Sequence, residues 1–325
     1  MRKGLLIYNS LSGSQAVPKA LDDLLAYGVK RGLLLMPARL TGDAEFQEFL
    51  LDLIREPWVE FVIACGGDGT LGGIAQLILE NRPELPMGII PAGTCNDFAE
   101  SLHLPADPFD CLDVVADGFS LGLDVGRVNG ERIFLSTCAA GMFVNISFTT
   151  SSQLKKSLGP LAYYFSALGE LHKISSFPLR IETESEVIED DFLLFLLING
   201  SQAAGFAKLY SKARMHDGLM DLLLIRDVPR FELPNLLIEL LNRESGDGKF
   251  FRHIRASRFS FTTTADLLTT QDGERGLPLP LSVEVLPCAL KVFIRDPESQ
   301  PPALRRLPPE VVGLNMFRGN EFRER

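Results

Sequence analysis

The fold is decided by residues 61–81, which read FVIACGGDGTLGGIAQLILEN. The segment Phe61–Cys65 is a short, β-rich apolar run, and Leu71–Asn81 has the pattern of a helix. The three glycines within residues 66–69 let the backbone approach a ligand closely, and the N-terminus of a helix offers unpaired N–H groups to an anion. The stretch therefore predicts a phosphate-binding turn between a strand and a helix.

The same alternation of strand and helix runs through the first third of the chain. It predicts a parallel sheet with helices on both faces, whose ligands lie at the carboxyl ends of the strands. The predicted strands are Gly4–Tyr8, Gly32–Met36, Phe61–Cys65 and Met87–Pro91, and the predicted helices are Pro18–Lys30, Asp43–Arg55 and Leu71–Asn81.

From about Leu123 the pattern changes to β-rich segments, which predict a mostly antiparallel, sandwich-like second domain. The fold class is an α/β N-terminal nucleotide-binding domain with a parallel sheet, followed by this β domain. We expect the domains at residues 1–122 and 123–300, with a tail at 301–325 that packs loosely or returns to the first domain. The predicted strands of this domain are Leu123–Val128, Arg132–Cys138, Leu179–Glu182, Phe192–Ile198, Leu219–Ile225, Arg258–Thr263 and Leu281–Phe293. The predicted helices are Pro160–His172 and Leu233–Asn242. The acidic run Glu182–Asp191 predicts a solvated hairpin.

Composition narrows the class of function. The 325 residues are 46% hydrophobic, which excludes a disordered chain, and the formal net charge of -10 argues against broad binding to nucleic acid. Five scattered cysteines without a C-x-x-C pair fit a reducing cytosol. The longest uncharged apolar run, near Phe192–Ile198, is far shorter than the roughly 20 residues that span a bilayer. Lys249–Arg255 interleaves basic and apolar residues, which fits a half-solvated strand or a contact with a membrane surface.

Two aspartates follow neighbouring predicted strands. Asp68 lies inside the glycine turn and would repel phosphate unless a cation lay between them, so it predicts Mg²⁺ bound with a nucleotide. The segment Gly93–Ala99 repeats this arrangement with Thr94 and Asp97, although Asp97 could serve only as the first charge of a helix. The G-x-G-x-x-G spacing from Gly67 is a weaker, dinucleotide-type alternative, since it does not follow the first strand.

Together, Gly66–Thr70 and Gly93–Ala99 resemble the diacylglycerol kinase catalytic domain, and specifically the bacterial soluble lipid kinase family. Further segments that resemble the family are Tyr8–Gly13, Lys156–Tyr163, Asp217–Asp221 and Gln271–Glu274.

The resemblance implies the residues that bind the nucleotide and the metals. Asp68, Asp97 and Asp124 would form an acidic network that links the nucleotide and the metals across the cleft, and Asp217 would hold a second-domain Mg²⁺ together with the backbone carbonyls of Arg214 and Leu219. The residues implied for nucleotide binding are Asn9, Ser12, Gly13, Gly66, Gly67, Asp68, Gly69, Thr70, Thr94 and Asp97.

The resemblance also implies the catalytic groups. Glu274 would be the general base that takes the proton from the acceptor hydroxyl, with Asp272 assisting it or binding metal and Asp68 completing the catalytic set. If the segment is extended, the carboxylates of Asp272 and Glu274 point the same way. Without the resemblance, a surface turn is the default interpretation of Asp272-Gly273-Glu274. The chain departs from the family pattern at a few positions: Ser10 replaces a proline, Gly72 an asparagine and His216 an aspartate, and Ala203-Ala204-Gly205 replaces a richer glycine run.

The function implied is an ATP- and Mg²⁺-dependent kinase that phosphorylates the hydroxyl of a diacylglycerol-like lipid. The enzyme would be cytoplasmic and would visit the membrane surface. Four alternatives stay open: a sphingoid-base kinase, a phosphatidylglycerol kinase, an NAD kinase, and a catalytically silent protein that binds nucleotide or lipid. A homodimer is as compatible with the sequence as a monomer.

Overall fold

The structure is a computed structural model that describes residues 1–12, 16–41, 43–142, 175–201, 214–232, 235–236 and 248–296. Its first part is a parallel sheet with the strand order β2, β1, β3, β4. All six residues of β3 are buried, as expected for a central strand covered on both faces. The strands are β1 (Arg2–Tyr8), β2 (Leu33–Arg39), β3 (Phe61–Gly66) and β4 (Met87–Pro91).

Helices cover both faces of this sheet. Successive residues of β3 point to opposite faces, so Val62 and Ala64 pack in one core with helices α3 and α4, while Ile63 and Cys65 pack in another with α2 and α6. The helices are α1 (Ala16–Lys19), α2 (Leu21–Lys30), α3 (Ala44–Arg55), α4 (Asp68–Asn81), α5 (Asp97–Ser101) and α6 (Pro108–Asp117).

The remaining strands form the β domain and pair antiparallel with one another. Phe195, Phe259 and Phe261 pack in its largest core, while Leu194 and Leu196 of the same strand as Phe195 enter a core on the other face. The strands are β5 (Ser120–Val128), β6 (Arg132–Phe134), β7 (Thr137–Gly141), β8 (Phe177–Glu182), β9 (Val187–Ile198), β10 (Met220–Arg226), β11 (Phe251–Ala256), β12 (Arg258–Thr262), β13 (Thr269–Gln271), β14 (Glu274–Arg275) and β15 (Leu281–Phe293).

Strand β15 joins the parallel strands and the antiparallel strands in one continuous sheet. Along its 13 residues it pairs antiparallel with β5 and β12, and near its end Val292 pairs in parallel with Met87 of β4. The β domain is therefore attached to the parallel sheet beside β4, at the residue where that strand begins. The domain limits expected from the sequence remain a prediction.

Most predicted elements are confirmed within a few residues, with informative exceptions. The predicted strand Arg132–Cys138 is wrong as one element, because it is interrupted between β6 and β7. The predicted helix Pro18–Lys30 is likewise interrupted, at Ala20 between α1 and α2. Helix α6 was not predicted, although Asp107 caps it through the amide of Phe109 and Pro108 opens it.

Two segments of the second half match their predicted character. The acidic run Glu182–Asp191 forms the solvated β8–β9 hairpin, and Lys249–Arg255 contributes strand β11, whose Phe251 and Ile254 are buried and thus unavailable to a membrane. The predictions that fall outside the described residues, apart from Asn235 and Leu236, are Pro160–His172, Leu233–Asn242, Lys156–Tyr163, Ala203–Gly205 and the tail 301–325.

Candidate active site

The loops after β1, β3 and β4 meet at one edge of the parallel sheet. Asn9 links the first two loops, because its backbone N–H donates to the carbonyl of Cys65 over 3.1 Å and its Nδ2 donates to Oγ1 of Thr70 over 3.3 Å. The Ser12 amide donates back to the carbonyl of Asn9 over 3.2 Å. The structure thus brings Asn9, Ser12 and Thr70 together, and their role in nucleotide binding stays a prediction. Gly13 lies outside the described residues.

The loops after β3 and β4 touch backbone to backbone. A Cβ atom added to Gly93 would lie 2.5 Å from the Cα of Gly67, and a Cβ on Gly66 would lie 2.5 Å from the Cβ of Thr70. Helix α4 begins directly after Gly67, which has no side chain to cap the first turn. First-turn amides and the positive end of the helix dipole are features that bind phosphate. The turns at Gly66–Gly67 and Gly93 and the first turn of α4 together form what we call the phosphate cradle, which fits a nucleotide phosphate. The exposed Thr94 follows Gly93 at its rim.

Asp68 and Asp97 are adjacent, as the sequence predicts. The carboxylate of Asp68 accepts hydrogen bonds from the amides of Asp97 and Phe98, over 3.2 Å and 3.0 Å, at the start of α5. Burial raises the pKa of Asp68, and the hydrogen bonds from these amides oppose that shift. Asp97 is itself buried.

Oxygen donors of this kind suit Mg²⁺. Among the described residues, no three His, Cys, Asp or Glu side chains cluster as a metal site. A metal held by Asp68 and Asp97 would thus need further oxygen ligands, such as those of nucleotide phosphates. The donor set fits a metal that arrives with its nucleotide.

Glu274 brings the β domain to this cradle. A Cβ atom on Gly69 would lie 2.1 Å from Oε1 of Glu274 and 2.4 Å from its Cδ. The glutamate side chain therefore lies directly against Gly69, in the first turn of α4. Arg132 lies on the other side of Glu274, with Nη2 3.7 Å from Oε2, and its Nη1 donates to the carbonyl of Arg275 over 2.8 Å. The general base that the resemblance implies, Glu274, therefore contacts the residue that follows Asp68 in the chain.

Asp272 does not point with Glu274, because the segment is a turn and the extended conformation that would give both carboxylates one direction is absent there. Asp272 and Gly273 both have positive φ, 50° and 78°, and form the two-residue turn between β13 and β14, in which Gln271 pairs with Glu274. The turn directs Asp272 inward, where its carboxylate accepts hydrogen bonds from three successive amides, those of Leu135, Ser136 and Thr137, over 2.7 to 3.0 Å.

The inward position of Asp272 also explains the interruption between β6 and β7. Its carboxylate binds the amides of Leu135 and Ser136, which separate these two strands, and of Thr137, which begins β7, so the chain turns there instead of continuing as one strand. Asp272 thereby fixes the turn that places Glu274 against Gly69.

Asp124 holds the loop that contains Asp217 through backbone hydrogen bonds. The fully buried Asp124 accepts hydrogen bonds from the amides of Gly218 and Cys288, over 2.7 Å and 2.8 Å, and its own amide donates to the carbonyl of Met215. Burial raises the pKa of Asp124. Asp217 accepts a hydrogen bond from Nη2 of Arg255 over 2.7 Å. Asp124 thus supports the loop that contains Asp217.

Comparisons with known proteins agree with the two-part fold. Residues 3–128 match the family description "Diacylglycerol kinase catalytic domain", and residues 138–294 match "YegS C-terminal NAD kinase beta sandwich-like domain". A curated diacylglycerol kinase of Staphylococcus epidermidis (strain ATCC 35984 / DSM 28319 / BCRC 17069 / CCUG 31568 / BM 3577 / RP62A) is 32% identical over 296 residues, which cover 90% of this chain and 92% of the relative. The chain belongs to the diacylglycerol kinase family.

Other members of the diacylglycerol kinase family support the same assignment. A diacylglycerol kinase of Staphylococcus saprophyticus subsp. saprophyticus is 33% identical, over 90% of this chain and 95% of the relative. A solved structure of a diacylglycerol kinase from Bacillus anthracis str. Sterne superposes with a TM-score of 0.68 at 20% identity, covering 90% of this chain and 97% of that one, which shows a shared fold. The recognised family, the fold class and the kinase class, with an alcohol group as acceptor, are confirmed.

Sequence reasoning missed two residues that the structure places beside the candidate site, Arg132 and Asn199. Arg132 gives no signal, because a single arginine in a strand is ordinarily a solvated residue. Asn199 is buried and its Nδ2 donates to the carbonyls of Asp124 and Leu135, over 2.7 Å and 2.9 Å. It joins Asp124 to the turn held by Asp272, a connection between segments far apart in the sequence.

The titration of Asp272 predicts how stability depends on pH. Burial raises the pKa of Asp272 to about 7, against the opposing effect of its three amide hydrogen bonds. In the unfolded chain an aspartate has a pKa of about 3.9. Below about pH 4 its contribution to stability is fully present, and it is lost as the pH rises through 7, because only the folded state retains the proton in that window.

We therefore expect the Tm in EDTA to fall from pH 5 to pH 8 and the fall to be smaller in Asp272→Asn. Thermal unfolding monitored by circular dichroism at four pH values measures both slopes. The matched control is Asp110→Asn, at an exposed position of α6, which should keep the wild-type slope. An unchanged slope in Asp272→Asn would contradict the assignment.

Proposed function

We propose that this chain is an ATP- and Mg²⁺-dependent kinase that phosphorylates the free hydroxyl of a diacylglycerol-like lipid. The observation that carries the proposal is the contact between Glu274 of the β domain and Gly69 of the phosphate cradle. An acceptor bound by the β domain would meet the terminal phosphate of a nucleotide at this contact. The retained Asp68, Asp97 and Glu274 argue against a catalytically silent binder.

The chain's own residues divide the work between the two domains. The first-turn amides of α4 would bind the phosphates, with Asn9 and Thr70 fixing the loop beside them. Asp68 and Asp97 would hold Mg²⁺, which neutralises charge on the phosphates when it is bound. The β domain contributes Glu274, and Arg132 and the Asp272 turn hold that residue in place.

The reaction needs one proton transfer from the acceptor. Glu274 would take the proton of the lipid hydroxyl while the hydroxyl oxygen forms a bond with the γ-phosphorus of ATP. The bond between that phosphorus and the bridging oxygen breaks, and ADP and the phosphorylated lipid leave. Asp272 would act as a positioning residue, since its buried carboxylate fixes the turn before Glu274 through three backbone hydrogen bonds.

The setting of the enzyme is part of the same proposal. Within the described residues, no helix is both long and apolar enough to cross a bilayer. We place the enzyme in the cytoplasm, in transient contact with a membrane that holds its lipid. The oligomeric state, monomer or homodimer, is measured by light scattering.

A soluble acceptor is the second candidate, since residues 138–294 match a domain description that mentions NAD kinase. Labelled transfer from γ-³²P-ATP with Mg²⁺ separates the candidates when diacylglycerol, phosphatidylglycerol, a sphingoid base and NAD are compared. Triacylglycerol is the matched control, because it has the same apolar chains and no free hydroxyl. We expect label in diacylglycerol alone. Label in NADP would contradict the lipid assignment, and ATP binding without any transfer would favour a silent binder.

A further inference from the structure

The loop of residues 214–219 is the place where the family resemblance implies a second Mg²⁺. Its ligands would be the side chain of Asp217 and the backbone carbonyls of Arg214 and Leu219. In the structure, one oxygen of Asp217 accepts a hydrogen bond from Nη2 of Arg255 over 2.7 Å, and the other accepts from the amide of Leu219 over 3.2 Å. A guanidinium therefore already lies on the only implied ligand that carries a negative charge.

Arg255 is fixed in this position by the sheet. It lies on β11 directly opposite Asp221 of the neighbouring β10, and its Nε is 3.2 Å from Oδ1 of Asp221. Asp221 is buried and also contacts Nε2 of His253 over 2.7 Å. Arg255 thus bridges two carboxylates, one in the strand and one in the loop, and cannot leave without exposing a buried charge.

The sequence of the loop also departs from the family pattern in a way that weakens metal binding. Where the family pattern has a second aspartate, this chain has His216, which is buried. Neither of its ring nitrogens has a hydrogen-bond partner in the part of the chain that the structure describes. A neutral imidazole supplies no anionic oxygen, and hard cations such as Mg²⁺ and Ca²⁺ prefer oxygen ligands. The loop has therefore lost one acidic group and neutralised the other.

The conformation of the loop is also supported by protein groups. Asp124 accepts from the amide of Gly218 and donates its own amide to the carbonyl of Met215, over 2.7 Å in each case. These bonds fix the backbone of the loop independently of Arg255. The implied donor set does not fit a divalent ion while Asp217 is paired with the guanidinium, because a second cation at the same carboxylate would be repelled.

We propose that Arg255 takes the place of the implied Mg²⁺ in this loop. The β domain then keeps residues 214–219 in their observed conformation without a bound metal. The proposal concerns a site apart from the nucleotide cradle. Its test uses neither ATP nor lipid, so its outcome is independent of the kinase assignment.

The first test counts ions directly. Mn²⁺ binding to the full chain without nucleotide is measured by electron paramagnetic resonance of the free ion, in wild type and in Asp217→Asn. Ions bound at Asp68 and Asp97 are common to both proteins and cancel. We expect equal numbers of bound ions, and one additional ion in the wild type would overturn the proposal.

The second test examines the role of Arg255 through stability. Arg255→Met should lower the Tm by about 4 °C or more, because it leaves Asp221 and Asp217 without their shared cation. Arg252→Met is the matched control, since Arg252 lies on the same strand, is similarly exposed and pairs with Glu186 on the hairpin. A Tm loss in Arg255→Met no larger than in Arg252→Met would overturn the proposal.

Discussion

Replacing Glu274 by glutamine should lower kcat for lipid phosphorylation by about 10² to 10⁴, the usual contribution of a general base. Glutamine has the same shape but cannot accept the proton of the acceptor hydroxyl. The affinity for ATP should stay within a factor of about three, because the phosphate cradle is built from the other domain. Steady-state kinetics and a calorimetric titration with ATP measure the two quantities separately.

The control for Glu274→Gln is Glu284→Gln. Glu284 is also a partly exposed strand glutamate paired with an arginine, Arg127, but it lies on β15 away from the cradle. It should retain wild-type kcat. If kcat in Glu274→Gln stays within tenfold of the wild-type value, the proton is taken by another group and the assignment of Glu274 is wrong.

The parallel half of the fold was predictable because each of its strands is a short apolar run followed by a helical pattern. The run at β3 is buried on both faces, so its sequence shows the uninterrupted hydrophobicity typical of a central parallel strand. In the β domain the pattern identified most strands, and its failure at Arg132–Cys138 has a cause far away in the sequence. Asp272 binds the amides between β6 and β7, and no local signal in that segment reveals it.

The candidate site was predictable to the extent that strand ends are adjacent. Parallel strands end at one edge of a sheet, which brings Asn9, Asp68 and Gly93 together without further information. The position of Glu274 came from the resemblance alone, because only the tertiary fold brings residue 274 to residue 69. The pairing of Asp217 with Arg255 is likewise a contact between separate segments that periodicity cannot show.

One local signal at the site indicates the turn. The dipeptide Asp272-Gly273 between two short β-rich segments is typical of a two-residue hairpin turn in which both residues have positive φ. Only an extended segment would place the two carboxylates on one side. The turn instead separates them into a buried residue that fixes the hairpin and an exposed residue that reaches the cradle.

Replacing Gly69 by alanine should lower kcat at least 100-fold, a loss typical of displacing a general base, while leaving the protein as stable as the wild type. The new Cβ would lie 2.1 Å from Oε1 of Glu274, so the glutamate must move. Its carboxylate is the far end of an exposed, flexible side chain, and moving it costs little stability. Alanine also favours the helix over glycine by about 0.5 to 1 kcal/mol.

Two variants test whether Gly69→Ala acts through Glu274. Gly73→Ala makes the same change one turn later in α4, where a Cβ meets nothing within 4 Å, and it should retain wild-type activity. The double variant Gly69→Ala/Glu274→Gln should have the kcat of Glu274→Gln alone, because a base that is already absent cannot be displaced. If the two losses multiply instead, or if Gly69→Ala abolishes ATP binding, the alanine acts on the nucleotide and the contact with Glu274 does not position the base.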